Sequence, residues 1–396
     1  MSPADAGASR AADSRAMTLG VLGGGQLGRM FVHAAQVHGY RAVVLEPDAA
    51  SPAGAAADEH LRAPYTDEAA LAALASRCTA VTTEFENVPA QALRRLMVSC
   101  TVSPPPDAVE VCQHRAREKQ LFAAAGVPGA PHAIVDSRSA ARDSGLAQLL
   151  PGILKTASLG YDGKGQARVD TPDDLSAAFD ALGQVPCVLE KRLTLAHEVS
   201  VIVARGREGQ CVHLPVQQNL HRDGILAVTQ VPAPDVSAET AAEAVALAGR
   251  LAQALQYVGV LCVEFFVLSD GTLVANELAP RPHNSGHYSI DACDVSQFDL
   301  QVRTLVGLPL VQPRLHSAAV MLNLLGDLWQ PAGANRARTP DWAGVLALPG
   351  TRLHLYGKHE ARAGRKMGHL TITAEDATVA RAVARQAASR LGLPAF

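Results

Sequence analysis

Short apolar runs divide the first hundred residues into predicted strands and helices. Thr18–Leu22, Arg41–Leu45 and Ala80–Thr83 are apolar runs of strand length, and residues 29–38 between the first two have a helical pattern. Gly39 ends that helix. A strand-helix-strand order predicts a parallel sheet, and open sheets of this kind bind ligands at the carboxyl ends of their strands.

The pattern changes after residue 114 to short strands mixed with helices, which is typical of an α+β arrangement. Helices are predicted over 115–125 and 238–255. Strands are predicted over 151–155 and 185–190 around a glycine-rich loop, over 199–205 and 211–216 as a hairpin, and as a strand pair within 257–278. We therefore predict a disordered leader (1–16), an α/β domain (17–114), a lid (115–190), a core (191–315) and a small C-terminal domain (316–396).

The amino-acid composition argues against a nucleic-acid-binding, a membrane-spanning and a secreted protein. The 396 residues carry 35 Lys and Arg against 38 Asp and Glu, a formal charge of −3, and only 4% are aromatic. This balance argues against a nucleic-acid partner. No apolar run reaches the roughly 20 residues needed to cross a bilayer, and residues 1–16 lack the apolar segment of a secretory signal. Seven scattered cysteines without a CxxC pair favour reduced thiols, so we expect a cytoplasmic protein.

A glycine loop follows the first strand. Gly23–Gly28 fits G-x-G-x-x-G, and Glu46 ends the next strand about twenty residues later. This spacing is compatible with an NAD-dependent oxidoreductase. It is equally compatible with another phosphorylated ligand at a helix N-terminus, or with a tight turn that binds nothing.

Two carboxylates are predicted to face each other across a hairpin. A two-residue turn at Asp270-Gly271 pairs 268 with 273 and 266 with 275, and the same count then pairs Glu264 with Glu277. Directly opposed residues lie about 5 Å apart on one face. The flanking residues are apolar, so a divalent metal, Mg²⁺ or Mn²⁺, would keep both groups ionised. The alternative is a solvated edge with two surface glutamates.

Three further segments combine glycine with basic side chains. Lys155 ends a strand and is followed by residues 160–166, a flexible loop whose N–H groups and Lys164 are suited to phosphates. Basic clusters occur at 281–287 and at 358–369. Together with the carboxylate pair, they predict an anionic small molecule and a metal ion.

In combination, these motifs resemble a known family. The matching segments are GGGQLGRM (23–30), EFENVP (84–89), KQLF (119–122), GYDGKGQ (160–166), NLHRDGIL (219–226), NELAPR (276–281), HNSGH (283–287), SQF (296–298) and GRKMGHL (364–370). In this order they resemble the ATP-grasp superfamily and, within it, the N5-carboxyaminoimidazole ribonucleotide synthase family. The resemblance implies an ATP-grasp fold with an N-terminal parallel-sheet domain, a lid and a small C-terminal domain.

The resemblance also implies an activity and a site. It implies ATP- and bicarbonate-dependent carboxylation of aminoimidazole ribonucleotide in purine biosynthesis, by a homodimer that uses Mg²⁺ or Mn²⁺. Residues implied to bind ATP are Arg115, Lys155, Gly160, Tyr161, Asp162, Gly163, Lys164, Gly165, Gln166, Glu190, Lys191, Arg192, Leu193, Glu198, His221, Asn276 and Glu277. Those implied to bind the ribonucleotide are Gln26, Leu27, Glu84, Tyr161, Asp162, Arg281, His283, Asn284, Ser285, Lys358, Arg365 and Lys366. Glu264 and Glu277 would hold the metal, and Arg281, His283 and Asp162 are the catalytic candidates.

The alternatives are a formate-dependent glycinamide ribonucleotide transformylase, the NAD-dependent oxidoreductase, and a nucleotide-binding protein without activity. Pro282 departs from the family pattern, and so does His114, where an acidic residue often precedes the arginine.

Overall fold

The computed structural model describes residues 17–158, 160, 165–330 and 338–396. The predicted leader (1–16) and four residues of the predicted phosphate loop, Tyr161, Asp162, Gly163 and Lys164, lie outside the described residues. Among the described residues, no helix is both long enough and apolar enough to span a membrane.

The N-terminal region is a five-stranded parallel sheet in the order β3-β2-β1-β4-β5. Its strands are β1 (Thr18–Leu22), β2 (Arg41–Leu45), β3 (Glu59–Leu61), β4 (Ala80–Thr83) and β5 (Thr101–Val102); its helices are α1 (Gln26–Val37), α2 (Pro52–Ala56), α3 (Glu68–Arg77), α4 (Ala90–Met97) and α5 (Pro106–Cys112). The predicted parallel sheet is confirmed, with the bounds of three strands as expected. Helix α1 begins three residues earlier than predicted, directly after the glycine loop.

The lid contains a four-stranded antiparallel sheet in the order β6-β9-β7-β8. Its elements are α6 (Arg115–Ala124), β6 (His132–Val135), β7 (Gly152–Thr156), β8 (Gln166–Val169), α7 (Pro172–Ala181) and β9 (Cys187–Lys191). Leu154 and Leu189 pack in one core cluster with residues of α7. Because side chains alternate along a strand, Lys155 and Glu190 lie on the opposite face of this sheet.

A nine-stranded sheet forms the rest of the molecule. Its strands and helices are β10 (Leu195–Arg205), β11 (Cys211–His213), β12 (Gln217–Arg222), β13 (Ile225–Val231), α8 (Ala238–Ala254), β14 (Gly259–Leu268), β15 (Leu273–Ala279), α9 (Ser289–Ala292), α10 (Gln297–Val306), β16 (Ala318–Leu325), α11 (Trp342–Leu346), β17 (Thr351–Leu355), β18 (Lys366–Ala374) and α12 (Ala377–Leu391). The predicted hairpin is present as β10 and β11. Strands β13 and β16 pair, so one sheet continues across the predicted boundary at 315/316.

Helix α8 covers one face of the central strands. Val201, Val263 and Phe265 are buried in one cluster with Leu247 and other residues of α8. Ile202 and Cys262, which alternate with these residues, are buried in a separate cluster with Leu300 of α10. Since Glu264 shares the alternation of Cys262, it lies on the α10 face.

Candidate active site

Glu264 and Glu277 are opposed across β14 and β15, as predicted. The ladder that brings them together differs from the predicted one. The loop between the strands has three residues, because Leu268 N donates to Thr272 O at 2.9 Å, and Val267 rather than Leu268 pairs with Leu273. A bulge between Glu264 and Phe265 then restores the pairing of the two glutamates. Gly271 has φ = 84°, which suits glycine at the end of a three-residue loop.

The bulge decides which face Glu277 occupies. Leu273 and Ala275, before the bulge, are buried in the cluster that includes α8, and so is Leu278 after it. In a regular strand, residues 275 and 278 would lie on opposite faces. Asn276 is therefore the extra residue, and Glu277 is turned to the face that carries Glu264.

The carboxylate pair lies in a polar setting in which the Glu264 side chain is 13% exposed and that of Glu277 is 41% exposed. Glu264 Oε1 is 3.1 Å from His283 Nε2, and Glu277 Oε2 accepts a hydrogen bond from Arg115 Nη1 at 3.2 Å. Burial, and then the charge of Glu277, raise the pKa of Glu264 to about 7. Two hard oxygen donors of this kind fit Mg²⁺ or Mn²⁺, which would offset both the burial and the mutual repulsion.

Three charged side chains of the predicted lid, Lys119, Lys155 and Glu190, form a buried cluster of ion pairs. Glu190 Oε2 accepts from Lys155 Nζ at 2.8 Å, and Glu190 Oε1 is 3.2 Å from Lys119 Nζ. Burial alone would raise the pKa of Glu190, but Lys155 and Lys119 outweigh it and hold that pKa at about 2. Burial lowers the pKa of Lys155, and the charges of Arg115 and Lys119 act in the same direction. Glu190, which the two lysines share, acts in the opposite direction but does not outweigh these effects. The sequence predicts that Lys155 and Glu190 belong to the nucleotide site. Lys119 lies in the KQLF segment (119–122), and the sequence predicts no role for it.

The segment after Glu190 leads into the core. Lys191 is exposed, and Arg192 Nη1 is 3.2 Å from Asp170 Oδ1 at the lid surface. Leu193 lies between β9 and β10. This segment is thus the chain connection between lid and core.

Two residues predicted for the nucleotide lie close together on neighbouring strands. Glu198 of β10 and His221 of β12 approach to 2.7 Å between Oε2 and Nδ1. Burial would lower the pKa of His221, but Glu198, with Glu264 and Glu277, raises it. Ser200, two residues from Glu198 on β10, pairs with Glu264, so the Glu198–His221 pair lies on the face of the sheet that carries the carboxylates.

The described ends of the phosphate loop are held against the lid. Thr156 N donates to Gly165 O at 2.8 Å, and Gln166 pairs with Lys155. Gly165 has φ = 70° and a Cβ there would lie 2.7 Å from Thr156 Oγ1, so this position requires glycine. Gly160 is the other described loop residue.

The loop after β15 carries two of the three predicted catalytic residues. Arg281 Nε donates to Glu86 of the N-terminal domain, and His283 Nδ1 is 2.9 Å from Ser285 Oγ. Burial and then Arg281 lower the pKa of His283 well below its ordinary value, so its imidazole is neutral. Asn284 is 6% exposed, and among the described residues neither side-chain amide atom has a hydrogen-bond partner. A buried amide in this state suits a polar ligand.

Carboxylates of the protein itself occupy the glycine loop. Glu84 accepts hydrogen bonds from Gly25 N and, at 2.7 Å, from Gly28 N. Glu46 accepts from Gly24 N at 2.8 Å and from the hydroxyl of Tyr65. Glu46, the acidic residue on which the NAD hypothesis rests, is therefore bound within the loop, which removes the support for that hypothesis. Gln26 and Leu27 begin α1 beside Glu84, although Leu27 is buried in the core.

The charges of Lys358 and Lys366, in the C-terminal basic cluster, act on Glu84 of the glycine-loop site and on the residues around Arg281 and His283. Lys358 Nζ donates to Lys366 O at 2.9 Å, and its charge lowers the pKa of Glu84, which burial raises. Burial is the largest influence on the pKa values of Glu86, Glu264 and His283, and Lys366 contributes to all three. Arg365 Nη1 donates to Glu360 O at 2.9 Å in an exposed loop.

A second polar cluster lies where β17 and β18 meet α9. His354 Nε2 is 2.7 Å from Asp291 Oδ2, and the His354 and His369 rings stack at 4.4 Å with an interplanar angle of 11°. The lone pairs of stacked rings lie in parallel planes and do not converge on one ion. This cluster therefore fits a structural role.

Three family models match consecutive parts of the chain. They describe a ribonucleotide synthetase preATP-grasp domain (residues 16–113), an ATP-grasp domain (120–298) and a phosphoribosylaminoimidazole carboxylase C-terminal domain (319–383).

Curated relatives agree with these matches. An N5-carboxyaminoimidazole ribonucleotide synthase from Brucella melitensis is 46% identical over 356 residues, covering 89% of this chain and 95% of the relative. One from Staphylococcus aureus is 40% identical over 361 residues, covering 91% and 93%.

Solved structures are similar over nearly the whole chain. An ADP complex of an N5-carboxyaminoimidazole ribonucleotide synthetase is 39% identical, with a TM-score of 0.87 and coverage of 94% of this chain and 96% of that one. The Aspergillus clavatus enzyme in complex with ADP and 5-aminoimidazole ribonucleotide is 30% identical, with a TM-score of 0.86 and coverage of 96% and 99%.

Proposed function

Since the chain belongs to the N5-carboxyaminoimidazole ribonucleotide synthase family, we propose that it uses the side chains described above to carboxylate aminoimidazole ribonucleotide with ATP and bicarbonate. It is an ATP-dependent ligase of purine biosynthesis. The residue roles, the metal ion and bicarbonate are the parts that we propose.

One observation carries the proposal. Glu264 and Glu277 face each other across the hairpin, with Arg115 on one carboxylate and His283 on the other. We assign the metal ion to these two glutamates. When bound there, it would neutralise charge on the triphosphate oxygens.

The nucleotide is assigned to the groove between lid and core. We assign Lys155 and Arg115 to the phosphates, Glu198 to the ribose hydroxyls, and residues 190–193 to the base. His221 and Asn276 are assigned to the same site, where the Oδ1 of Asn276 has no hydrogen-bond partner among the described residues. Residues 160–166 are assigned to cover the phosphates.

The first chemical step activates bicarbonate. A bicarbonate oxygen attacks the γ-phosphorus, and the bond between the γ-phosphorus and the bridging β-phosphate oxygen breaks. ADP is the leaving group, and carboxyphosphate is formed. Arg281, which Glu86 orients, is suited to hold bicarbonate because its planar fork matches a carboxylate-like anion. Lys155 and Arg115 stabilise the charge that develops on the phosphoryl oxygens.

The second step forms the carbon–nitrogen bond. The exocyclic amine of the ribonucleotide attacks the carboxyl carbon, the carbon–oxygen bond to phosphate breaks, and the amine loses a proton. His283 is neutral and can accept a proton; Asp162 is the other candidate. Lys358, Arg365 and Lys366 are assigned to the substrate phosphate. Gln26, Leu27, Glu84, Asn284, Ser285 and Tyr161 are assigned to the remainder of that site.

A coupled assay of ADP release tests the proposal. Release should require both aminoimidazole ribonucleotide and bicarbonate, and should not occur with glycinamide ribonucleotide and formate. ADP release that ignores bicarbonate would refute the carboxylation mechanism, and a requirement for formate would identify a transformylase instead.

We also propose a cytoplasmic homodimer and keep the predicted division at residues 114, 190 and 315. Sedimentation of the purified chain tests the dimer: a single species near 41.4 kDa would contradict it.

A further inference from the structure

Three side chains of helix α6 meet consecutive residues of β15. Arg115, Glu118 and Lys119 are spaced i, i+3 and i+4, so they share one face of the helix. Lys119 Nζ donates to Asn276 O at 3.0 Å, and Leu278 N donates to Glu118 Oε1 at 2.7 Å. Arg115 contacts the carboxylate of the residue between them, Glu277.

These contacts fall at the bulge. Asn276 is the residue of β15 that has no partner on β14, and β15 is the edge strand of its sheet. Edge positions leave backbone groups without ladder partners. Lys119 and Glu118 supply a donor and an acceptor for the backbone on either side of Glu277.

Lys119 also reaches the antiparallel sheet of the lid. Its ammonium group is 3.2 Å from Glu190, which pairs with Lys155, and its side chain is only 1% exposed. One side chain thus contacts both the strand that carries Glu277 and the lid strand β9.

We propose that Glu118 and Lys119 are positioning residues that hold Glu277 opposite Glu264 for metal binding, and that Lys119 also connects that strand to β9. The inference rests on the proposed function, since it takes Glu277 to be a metal ligand. Neither residue touches the reacting atoms in this scheme. They act through the backbone of residues 276 and 278.

The test measures Mn²⁺ binding to the full-length protein with ADP by electron paramagnetic resonance. Lys119→Met keeps the stem and removes the donor, and we expect Mn²⁺ to bind about 10–100-fold more weakly, as for other residues that support metal ligands. Glu118→Leu, which removes the acceptor, should act in the same direction. Glu118→Gln retains an oxygen that accepts from Leu278 N, and it should bind Mn²⁺ within about 3-fold of wild type.

Two further measurements distinguish positioning of the metal ligand by Glu118 and Lys119 from a general contribution of these residues to stability. Tyr257→Phe removes a fully buried hydrogen bond, from the hydroxyl to Val260 O at 2.9 Å, and this hydrogen bond does not involve residues 276–278. It should lower stability and leave Mn²⁺ affinity unchanged. In Lys119→Met the Mg²⁺ concentration for half-maximal rate should rise, while the KM for the ribonucleotide stays constant.

Glu277→Gln distinguishes this inference from the proposed function. If Glu277→Gln loses Mn²⁺ binding while Lys119→Met and Glu118→Leu bind normally, the positioning role is wrong and the metal site stands. If Glu277→Gln binds Mn²⁺ as wild type does, the metal assignment itself is wrong. Equal Mn²⁺ weakening in Glu118→Gln and Glu118→Leu would also overturn the role assigned to the Glu118 hydrogen bond.

Discussion

Replacing Glu190 by glutamine should destabilise the protein strongly, because it removes the carboxylate between two buried ammonium groups. Lys119 and Lys155 have side-chain exposures of 1% and 9%, and that of Glu190 is 4%. Glutamine preserves the volume and the backbone of β9. The ammonium groups then lose their shared counter-charge inside the protein, where water does not replace it.

Two independent arguments give a similar loss in the free energy of unfolding for Glu190→Gln. The two lysines outweigh the effect of burial and lower the pKa of Glu190 from 4.5 to about 2, which corresponds to about 3 kcal/mol at ~1.4 kcal/mol per pKa unit. Removing one partner of a buried ion pair typically costs about 3–5 kcal/mol. We therefore expect Glu190→Gln to lower the free energy of unfolding by about 3 kcal/mol at pH 7.

The pH dependence gives a second readout. A pKa that is lower in the folded state stabilises the fold above the ordinary value of 4.5, and this contribution is lost as the pH falls from 4.5 towards 2. Urea unfolding of wild type should show that loss, and Glu190→Gln should lack the part contributed by this residue.

Asp180→Asn is the matched control in the same lid. Asp180 pairs with Arg138 at 2.7 Å, but these side chains are 45% and 52% exposed, so the expected change is under about 1 kcal/mol. A loss below about 1 kcal/mol in Glu190→Gln, or an unchanged acid dependence, would refute the reasoning.

Four other variants test separate regions of the protein. Glu277→Gln should abolish carboxylation and ATP turnover while its circular dichroism spectrum stays native; normal ADP release would contradict the metal role. Lys358→Ala and Arg365→Ala should raise the KM for the ribonucleotide in steady-state kinetics if they hold its phosphate, and an effect on kcat alone would oppose that assignment. Gly286→Ala places a Cβ 2.6 Å from Gln297 Oε1, so thermal unfolding should reveal a loss of about 1–3 kcal/mol; an unchanged midpoint would show that the loop can relax.

The fold was predictable where buried strands are short apolar runs with clear ends. β1, β2 and β4 belong to this class, and their observed bounds match the prediction. β12 has the sequence QQNLHR, which lacks alternation, although its first three residues are buried. β16 has the sequence AAVMLNLL, and a continuous apolar run does not distinguish a strand from a buried helix. Tertiary pairing fixes both strands: β12 pairs with β10 and β13, and β16 pairs with β13 and β18.

Residues of the site that escaped prediction act through distant partners. Lys119 contacts Asn276 at a separation of 157 residues, and Glu86 contacts the predicted Arg281 at a separation of 195. Without the fold, the pattern of Arg115, Glu118 and Lys119 is indistinguishable from a charged helix face exposed to solvent. The signal was present only as the helical spacing of these three residues within a recognised motif.

The pairing of Glu264 with Glu277 was predicted from a ladder that is wrong at every intermediate pair. The observed three-residue loop shifts the register by one residue, and the bulge at Asn276 shifts it back. With the observed loop and no bulge, Asn276 would oppose Glu264, and Glu277 would join Leu273 and Ala275 on the face packed against α8. The extra residue is what places the second carboxylate beside the first. The contacts from Lys119 and Glu118 lie on either side of Glu277, where a one-residue slip would separate the two carboxylates.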